Sequence, residues 1–214
     1  MPVRQGAKCS CPVFQDRRQS YRQDQRRVSV ASDGTEADNW SFFTRISADG
    51  RFVGFESKAS NIAPNDTNGQ YDIFIHDLST HVTERVSMAS DGTQGNKWSL
   101  RAAIASDGRF ITFRSEANNL VDGDTNNAYD IFLHDRNTGI TKRVSVASDN
   151  TERNLPSRNP AISSNGEFIV FHSSATNLVY NDTNDATDAF VHNHVSKGSQ
   201  TMPVPSTLFL LFSN

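Results

Sequence analysis

Cysteine is almost absent from this chain of 214 residues, which contains only Cys9 and Cys11. Two cysteines separated by a single residue are too close for an easy internal disulfide, and no second pair is present to complete a zinc site. We therefore expect a fold that depends on neither a disulfide framework nor structural zinc.

Long apolar runs are also missing. No segment approaches the ~20 apolar residues of a membrane span, and the first residues, MPVRQGAKCSCPVF, lack the apolar core of a secretory signal. The formal net charge of −3 gives no general electrostatic case for binding nucleic acid or an anionic membrane. The expectation is a chain with no stable membrane span and no nucleic-acid partner.

Reaction signatures are absent too. The sequence has no Gly-x-Ser-x-Gly elbow, no His-Glu-x-x-His and no phosphate-cradling glycine loop. Its many aspartates could supply a carboxylate pair for glycoside hydrolysis, but they recur in repeated columns, whereas a single catalytic site needs unique neighbours. We therefore expect no enzymatic activity.

What the sequence does contain is a repeat. Arg-Val-Ser begins at Arg27, Arg85 and Arg143, so that the three copies are equally spaced and no gap is needed between them. The turn-and-strand phrase SDGRFITFRS, which begins at Ser106, and the polar phrase GDTNNAYDIFLHD, which begins at Gly123, each have counterparts in the other two copies. Nine of the fourteen phenylalanines lie in three repeated columns.

Each unit has the pattern of four short β-strands. Asp-Gly or Asn-Gly supplies a tight turn, and two consecutive strands, such as RFVGF and DIFIH, are apolar at neighbouring positions. Such strands are buried on both faces, as in a sheet that is packed between two neighbours. The fold class is therefore all-β, and we expect three tandem four-stranded antiparallel sheets, one in each copy of the repeat, which are the blades of a β-propeller.

The repeated phrases resemble a known family. Ser-x-Asp-Gly-Arg-Phe-(Val/Ile)-x-Phe-x-Ser, followed by Asp-Ile-Phe-x-His-Asp and the Thr138-Gly139 turn, is similar to the TolB-like propeller repeat over about residues 27–193. This resemblance implies a bacterial envelope or secreted protein that acts as a non-catalytic scaffold for protein contacts. Ala48 replaces the usual proline, and the third copy departs further, with Asn165-Gly166 and Asn193. The stretch from Met202 to Phe212 resembles a truncated PEP-CTERM tail; its alternatives are a loose tail or one added strand.

The repeats also predict the organisation of the chain. Residues 1–26 are expected to form a disordered basic arm, 27–193 the propeller repeats and 194–214 a tail. The blades are placed at about 40–89, 98–147 and 156–193, with 27–31 as a stray outer strand. Because no Arg-Val-Ser follows Asn193, either residues 27–31 complete the last blade and latch a ring, or the chain is a partial propeller. We favour the partial propeller, whose exposed blade faces would allow self-association.

The polar loop is the candidate ligand site. In each copy, oxygen-bearing side chains recur at the first, third and seventh positions of the loop. Calcium prefers several hard oxygen ligands of this kind. The alternative is a set of Asx-turns that cap the loop backbone. The candidate calcium ligands are Asp66, Asn68, Asp72, Asp124, Asn126, Asp130, Asp182, Asn184 and Asp188.

Two further columns bear on function. His76, His134 and His192 end equivalent strands, where either contact with water or a metal site would fit. Trp40 and Trp98 either pack between blades or stack on a sugar. The leading interpretation is a scaffold that binds protein partners and is stabilised by calcium, and the alternative is a carbohydrate-binding or carbohydrate-processing propeller.

Overall fold

The structure is a computed structural model that describes residues 25–194, which contain eleven β-strands and no helix. The predicted basic arm, apart from its last two residues, and the region that resembles a PEP-CTERM tail lie outside this range. The strands are β1 Ser41–Ile46, β2 Phe52–Ser57, β3 Asp72–Asp77, β4 Thr83–Arg85, β5 Ser99–Ile104, β6 Phe110–Ser115, β7 Asp130–Asp135, β8 Ile140–Arg143, β9 Ser157–Ile162, β10 Phe168–Ser173 and β11 Asp188–Asn193. The all-β prediction is confirmed.

The strands form three antiparallel sheets in chain order. The first sheet is β1-β2-β3-β4, the second is β5-β6-β7-β8, and the third is β9-β10-β11. The third sheet therefore has three strands within residues 25–194, and the sequence after Asn193 lacks the Arg-Val-Ser into which the fourth strands of the other two sheets lead. Three sheets of this topology in tandem are blades of a partial propeller.

Backbone geometry explains the glycine that recurs in the turn of each unit. Gly50, Gly108 and Gly166, which end the three Asp-Gly or Asn-Gly turns, have φ of 73°, 70° and 77°. Only glycine adopts this left-handed conformation without steric cost. In the first turn, the Ser47 hydroxyl accepts a hydrogen bond from the Phe52 amide at 2.9 Å, which fixes where the next strand begins.

The first strand of every sheet carries the same irregularity. The register between β1 and β2 shifts between Phe42 and Arg45, and the two other sheets shift at equivalent places. Phe43, Arg101 and Asn159 have φ of 50°, 61° and 52° at these bulges. A bulge re-aims side chains and increases local twist, as the innermost strand of a wedge-shaped blade requires.

The sheets stack face to face, which buries the apolar columns between them. Phe52, Ile73 and Ile75 of the first sheet pack against Ile111 and Phe113 of the second, and all five are at least 94% buried. Ile131 and Leu133 of the second sheet pack in the same way against the third. The prediction that β2, β3 and their counterparts are covered on both faces is thus confirmed for the second sheet, which lies between two neighbours.

Glycine makes close stacking possible where the turns meet the neighbouring sheet. A Cβ on Gly108 would lie 2.1 Å from the ring of Phe52, and a Cβ on Gly166 would lie 2.5 Å from the ring of Phe110. The aromatic side chain that follows each turn therefore rests on the glycine of the next turn along the chain. Gly50, by contrast, has no neighbouring atom within 4 Å of its Cβ position.

The two ends of the stack differ. On the third sheet, one face is open, because Phe168, Val170 and Val191 are 41%, 46% and 66% exposed. On the first sheet, Phe55 and Phe74 are buried together with Ala59 and Ile62 of the following loop. Ile46 at the inner strand of that sheet is 61% exposed.

Residues 27–31 do not form a β-strand, in contrast to the predicted stray outer strand. Val30 makes an isolated antiparallel bridge with Glu36, as Met88 does with Gln94 and Val146 with Glu152. The N-terminal segment therefore has the conformation of the linkers that join one sheet to the next. No helix long and apolar enough to cross a membrane occurs between residues 25 and 194.

Candidate functional site

The three polar loops join the second and third strands of their sheets, and each ends at an aspartate that opens the third strand: Asp72, Asp130 or Asp188. The loops depend on left-handed residues at two equivalent positions. These are Asn65, Gly123 and Asn181 at the first position, and Gly69, Asn127 and Asp185 at the second, all with φ between 51° and 71°. Glycine, asparagine and aspartate are the residues that tolerate this conformation best, which explains part of the loop composition.

In the first loop, the two carboxylates face an arginine. One Arg85 guanidinium nitrogen, Nη1, lies 3.3 Å from Asp66 and 3.8 Å from Asp72, and all three side chains are at least 94% buried. Asp72 also accepts hydrogen bonds from the Ser87 hydroxyl at 2.5 Å and from the Asn68 amide at 2.8 Å. A guanidinium therefore occupies the position at which a cation would neutralise these carboxylates.

Asn68 presents its amide nitrogen, rather than its oxygen, to the carboxylate. Its oxygen Oδ1 accepts a hydrogen bond from the backbone amide of Gln70 at 2.7 Å, which is the geometry of an Asx-turn. Asn126 repeats this arrangement with the amide of Ala128 at 2.9 Å. The asparagine oxygen counted as a calcium ligand is thus engaged by the loop backbone in both copies.

The second loop contains two guanidinium groups. Arg143 Nη1 lies 3.3 Å from Asp124 and 3.7 Å from Asp130, and Arg153 Nε contacts Asp130 at 2.7 Å. Glu152 adds a third carboxylate, and oxygen atoms of the three acidic side chains lie within 4.8 Å of one another. This is the one acidic cluster of metal-binding size in the described residues, and Arg143 contacts all three of its members.

Burial disfavours the ionised form of these carboxylates. It raises the pKa of Asp72 to about 6, although Ser87, Asn68 and Arg85 act in the opposite direction. Burial, followed by the neighbouring Asp130, also raises the pKa of Asp124 to about 6. Buried carboxylates of this kind persist only where cations and hydrogen-bond donors compensate for lost hydration.

The third loop retains the acidic side chains without the arginine. Asn184 donates to Asp188 at 3.1 Å, as in the other copies, and Asp182 and Asp188 are both partly buried. No ion pair to either aspartate is present among residues 25–194. The position in the third copy that corresponds to Arg143 is Thr201, which lies outside the described range.

Calcium binding by these loops stays a prediction, and the third loop is where it is best tested. If calcium binds there, chelation should lower the melting temperature by several degrees, because a ligand bound only to the folded state stabilises it. Asp182→Asn should abolish this shift. Asp66→Asn, in a loop that already contains Arg85, serves as the matched control and should leave the shift unchanged. An unaltered melting temperature on chelation would remove the calcium hypothesis.

The histidine column has a structural role in the first two sheets. His76 Nδ1 lies 2.8 Å from the Thr83 hydroxyl, which donates in turn to the carbonyl of Val30 at 2.6 Å. His134, Thr141 and the carbonyl of Met88 repeat this relay at 2.9 and 2.5 Å. Because the hydroxyl proton is used by the carbonyl, the imidazole Nδ1–H must donate. Independently of this hydrogen bond, burial lowers the pKa of both histidines.

The two tryptophans differ in their surroundings. Trp98 makes an edge-to-face contact with Tyr71 of the first sheet at 5.8 Å, so it packs between blades, which is one of the two predicted alternatives. Trp40 occupies the equivalent position on the first sheet and is 75% exposed. The partners of the acidic loops, Arg85 and Arg143, are not predicted by the sequence pattern, because Arg-Val-Ser indicates only part of a strand.

The stacked sheets, their interlocking turns and the loops define this chain as a section of a β-propeller. No protein-family model and no curated protein matches the sequence. Solved structures that are similar include TolB from Acinetobacter baumannii, with 16% identity, 75% of this chain and 31% of that chain covered, and a TM-score of 0.43.

Two further similar structures are a putative TolB from Agrobacterium tumefaciens and the oligogalacturonate lyase from Vibrio parahaemolyticus. The first has 14% identity over 77% of this chain and 59% of that chain, with a TM-score of 0.42. The second has 12% identity over 72% of this chain and 36% of that chain, with a TM-score of 0.42. This chain spans only 31–59% of the length of the three proteins.

Proposed function

We propose that this chain is a non-enzymatic propeller section that mediates protein–protein contacts. The observation that carries the proposal is the open face of the third sheet, formed by Phe168, Val170 and Val191. Their counterparts on the first sheet, Phe52 and Ile75, are 6% and 1% exposed, because there a neighbouring sheet covers the same surface. Exposed apolar surface of this kind marks an interaction site.

The chemistry of the repeated polar columns supports a role without catalysis. The buried carboxylates of the first two loops are held by Arg85 and Arg143, and His76 and His134 are held by threonine hydroxyls. These groups serve the same structural purpose in successive sheets. A reaction centre would instead require a polar constellation with unique neighbours. The TolB-like resemblance of the repeats adds the cell envelope or the extracellular space as the proposed location.

A photo-crosslinking amino acid at position 191 tests the proposal in cells that produce this chain. We expect a discrete adduct with protein, identified by mass spectrometry, because Val191 lies on the open face. The same amino acid at position 82 is the control, since Val82 is 48% exposed but lies beside β4 of the first sheet. Equal adducts at both positions, or none at 191, would refute a contact surface on the third sheet.

A carbohydrate-binding propeller remains the second candidate, and one observation favours it. Trp40 is 75% exposed to solvent, so its indole ring is accessible to a sugar. Saturable quenching of tryptophan fluorescence by oligosaccharides, lost in Trp40→Ala and retained in Trp98→Ala, would support this candidate over the scaffold.

A further inference from the structure

We propose that the open face of the third sheet binds the first sheet of a second copy of this chain, and that two copies close into one propeller. In this pair, residues 27–30 of each copy supply an outer strand to the third sheet of its partner, which has three strands within residues 25–194. The inference rests on the proposed function, because it names the protein that covers the open face. Five features of the chain support it.

The proposed outer strand has a template in the first two sheets. After β4, the amide of Val86 donates to the carbonyl of Ile73 at 2.9 Å, and the amide of Ile73 donates to the Ser87 hydroxyl at 3.1 Å. After β8, Val144 and Ser145 make the same two hydrogen bonds with Ile131. The equivalent residue in β11 is Ala189. The only remaining Arg-Val-Ser in the sequence begins at Arg27.

The N-terminal segment is already arranged as the end of such a strand. The amide of Ala37 donates to the carbonyl of Ser29 at 3.2 Å, just as the amide of Gly95 donates to the carbonyl of Ser87 at 3.3 Å. The bond from the Thr83 hydroxyl to Val30 likewise matches the bond from the Thr141 hydroxyl to Met88. The segment therefore sits on the first sheet as the linker between sheets sits on the second.

The two end faces are complementary in shape. Phe52 rests on Gly108 and Phe110 rests on Gly166, which leaves Phe168 and Gly50 as the two halves of a third contact of the same kind. Phe168 is 41% exposed, and the Cβ position of Gly50 has no atom within 4 Å. The inner strands show a second contact of this type. Ile104 of the second sheet packs against Gly54 of the first. Their counterparts at the ends of the stack are Ile46 for Ile104 and Val170 for Gly54, and these are 61% and 46% exposed.

The charges are complementary as well. Arg143 contacts Glu152 at 2.5 Å and, in addition, the aspartates of the second loop. Arg27 contacts Glu36, the counterpart of Glu152, and its side chain is 54% exposed. In a second copy, Arg27 would meet Asp182 and Asp188, which have no arginine partner within residues 25–194. It would occupy the position that calcium would otherwise take in the third loop.

Blade number favours a closed pair. In one chain, residues 29–37 lie against the first sheet while the open face lies on the third, with the second sheet between them. Head-to-tail contacts make rings when the rotation closes and fibres when it does not. Two copies of residues 25–194, with three sheets in each, give six blades, which is within the range of about 4–8 for propellers, whereas three copies would exceed it.

Light scattering on the purified full chain tests the pair. We expect a mass of twice 23.7 kDa at micromolar concentration. Val191→Glu and Arg27→Glu should each raise the dissociation constant at least ~100-fold, because each places an unpaired charge in the contact. Both residues are exposed in the single chain, so folding should be unchanged by circular dichroism. Ile140→Glu, at a position that is 44% exposed on the second sheet and in neither half of the contact, should remain a dimer.

A designed disulfide tests the strand pairing directly. In a background with Cys9→Ser and Cys11→Ser, the double variant Val28→Cys, Ala189→Cys should oxidise to a closed dimer held by two disulfides. Each single-cysteine variant should stay monomeric on a non-reducing gel.

The outcomes separate this inference from the proposed function. A monomer at all concentrations, or a ladder of larger species in place of a closed pair, would overturn the pair. If the purified chain is monomeric while position 191 still crosslinks to a different protein in cells, the contact surface stands and the second copy is wrong as its occupant. Absence of both signals would overturn both proposals.

Discussion

Replacing Arg85 with methionine is expected to lower the free energy of unfolding by about 3–5 kcal/mol. Methionine keeps much of the apolar stem of the side chain but removes the charge that lies 3.3 Å from Asp66 and 3.8 Å from Asp72. Two buried carboxylates would then share one pocket without a cation. Urea unfolding, followed by circular dichroism at pH 7.5, measures the loss.

The pH dependence of this variant gives a second measurement. The pKa of Asp72 is about 6 in the folded wild type, above its ordinary value of 3.8, so the folded state binds more protons between these values. Stability linked to Asp72 therefore falls as pH rises from about 4 to 6. Without Arg85 the folded pKa should rise further, so that much of the loss in Arg85→Met is recovered at pH 5.

Arg51 provides the matched control for Arg85. It also contacts an aspartate, Asp77, at 2.6 Å; the Arg51 side chain is 48% exposed and that of Asp77 is 8% exposed. Because water can reach the place of the guanidinium, Arg51→Met should cost less than Arg85→Met, about 1–2 kcal/mol. Equal losses in the two variants would show that burial is not what makes the Arg85 contact important.

The sheets could be predicted from the sequence because their signals are local. Apolar strand patterns and turn glycines can each be recognised from a few neighbouring residues. The same signals recur in three copies with an unbroken spacing, which strengthens the prediction. The phenylalanine columns correctly indicated buried sheet faces. Phe55 stacks on Phe74 and Phe113 stacks on Phe132, each with ring centroids 5.8 Å apart. The bulges at Phe43 and its counterparts could not be predicted, since they depend on how the inner strands twist in the stack.

The chemistry of the acidic loops could be predicted only in part. A column of aspartates indicates that a positive charge is needed, but the residue types alone do not distinguish calcium from arginine. The partner of Asp72, Arg85, lies on the next strand of the chain, which the register of the sheet brings alongside. Arg153, which contacts Asp130, has no counterpart of its type in the first copy, where Gly95 occupies its place.

Gly108→Ala is expected to be the most damaging of the turn substitutions, because two costs add there. A left-handed alanine costs ~1–2 kcal/mol by itself. The added methyl would also lie 2.1 Å from the ring of Phe52, which must move within a core that is already filled, at about 1–3 kcal/mol more. Urea unfolding of the full chain measures the sum.

Gly92→Ala separates the two contributions. Gly92 has a φ of 86°, but no atom lies within 4 Å of its Cβ position, so the variant should show the backbone cost alone. If Gly108→Ala is no worse than Gly92→Ala, Phe52 does not rest on the turn of the second sheet. The interlocking of aromatic ring and turn glycine, on which both the stacking of the sheets and the proposed closure of two chains depend, would then be wrong.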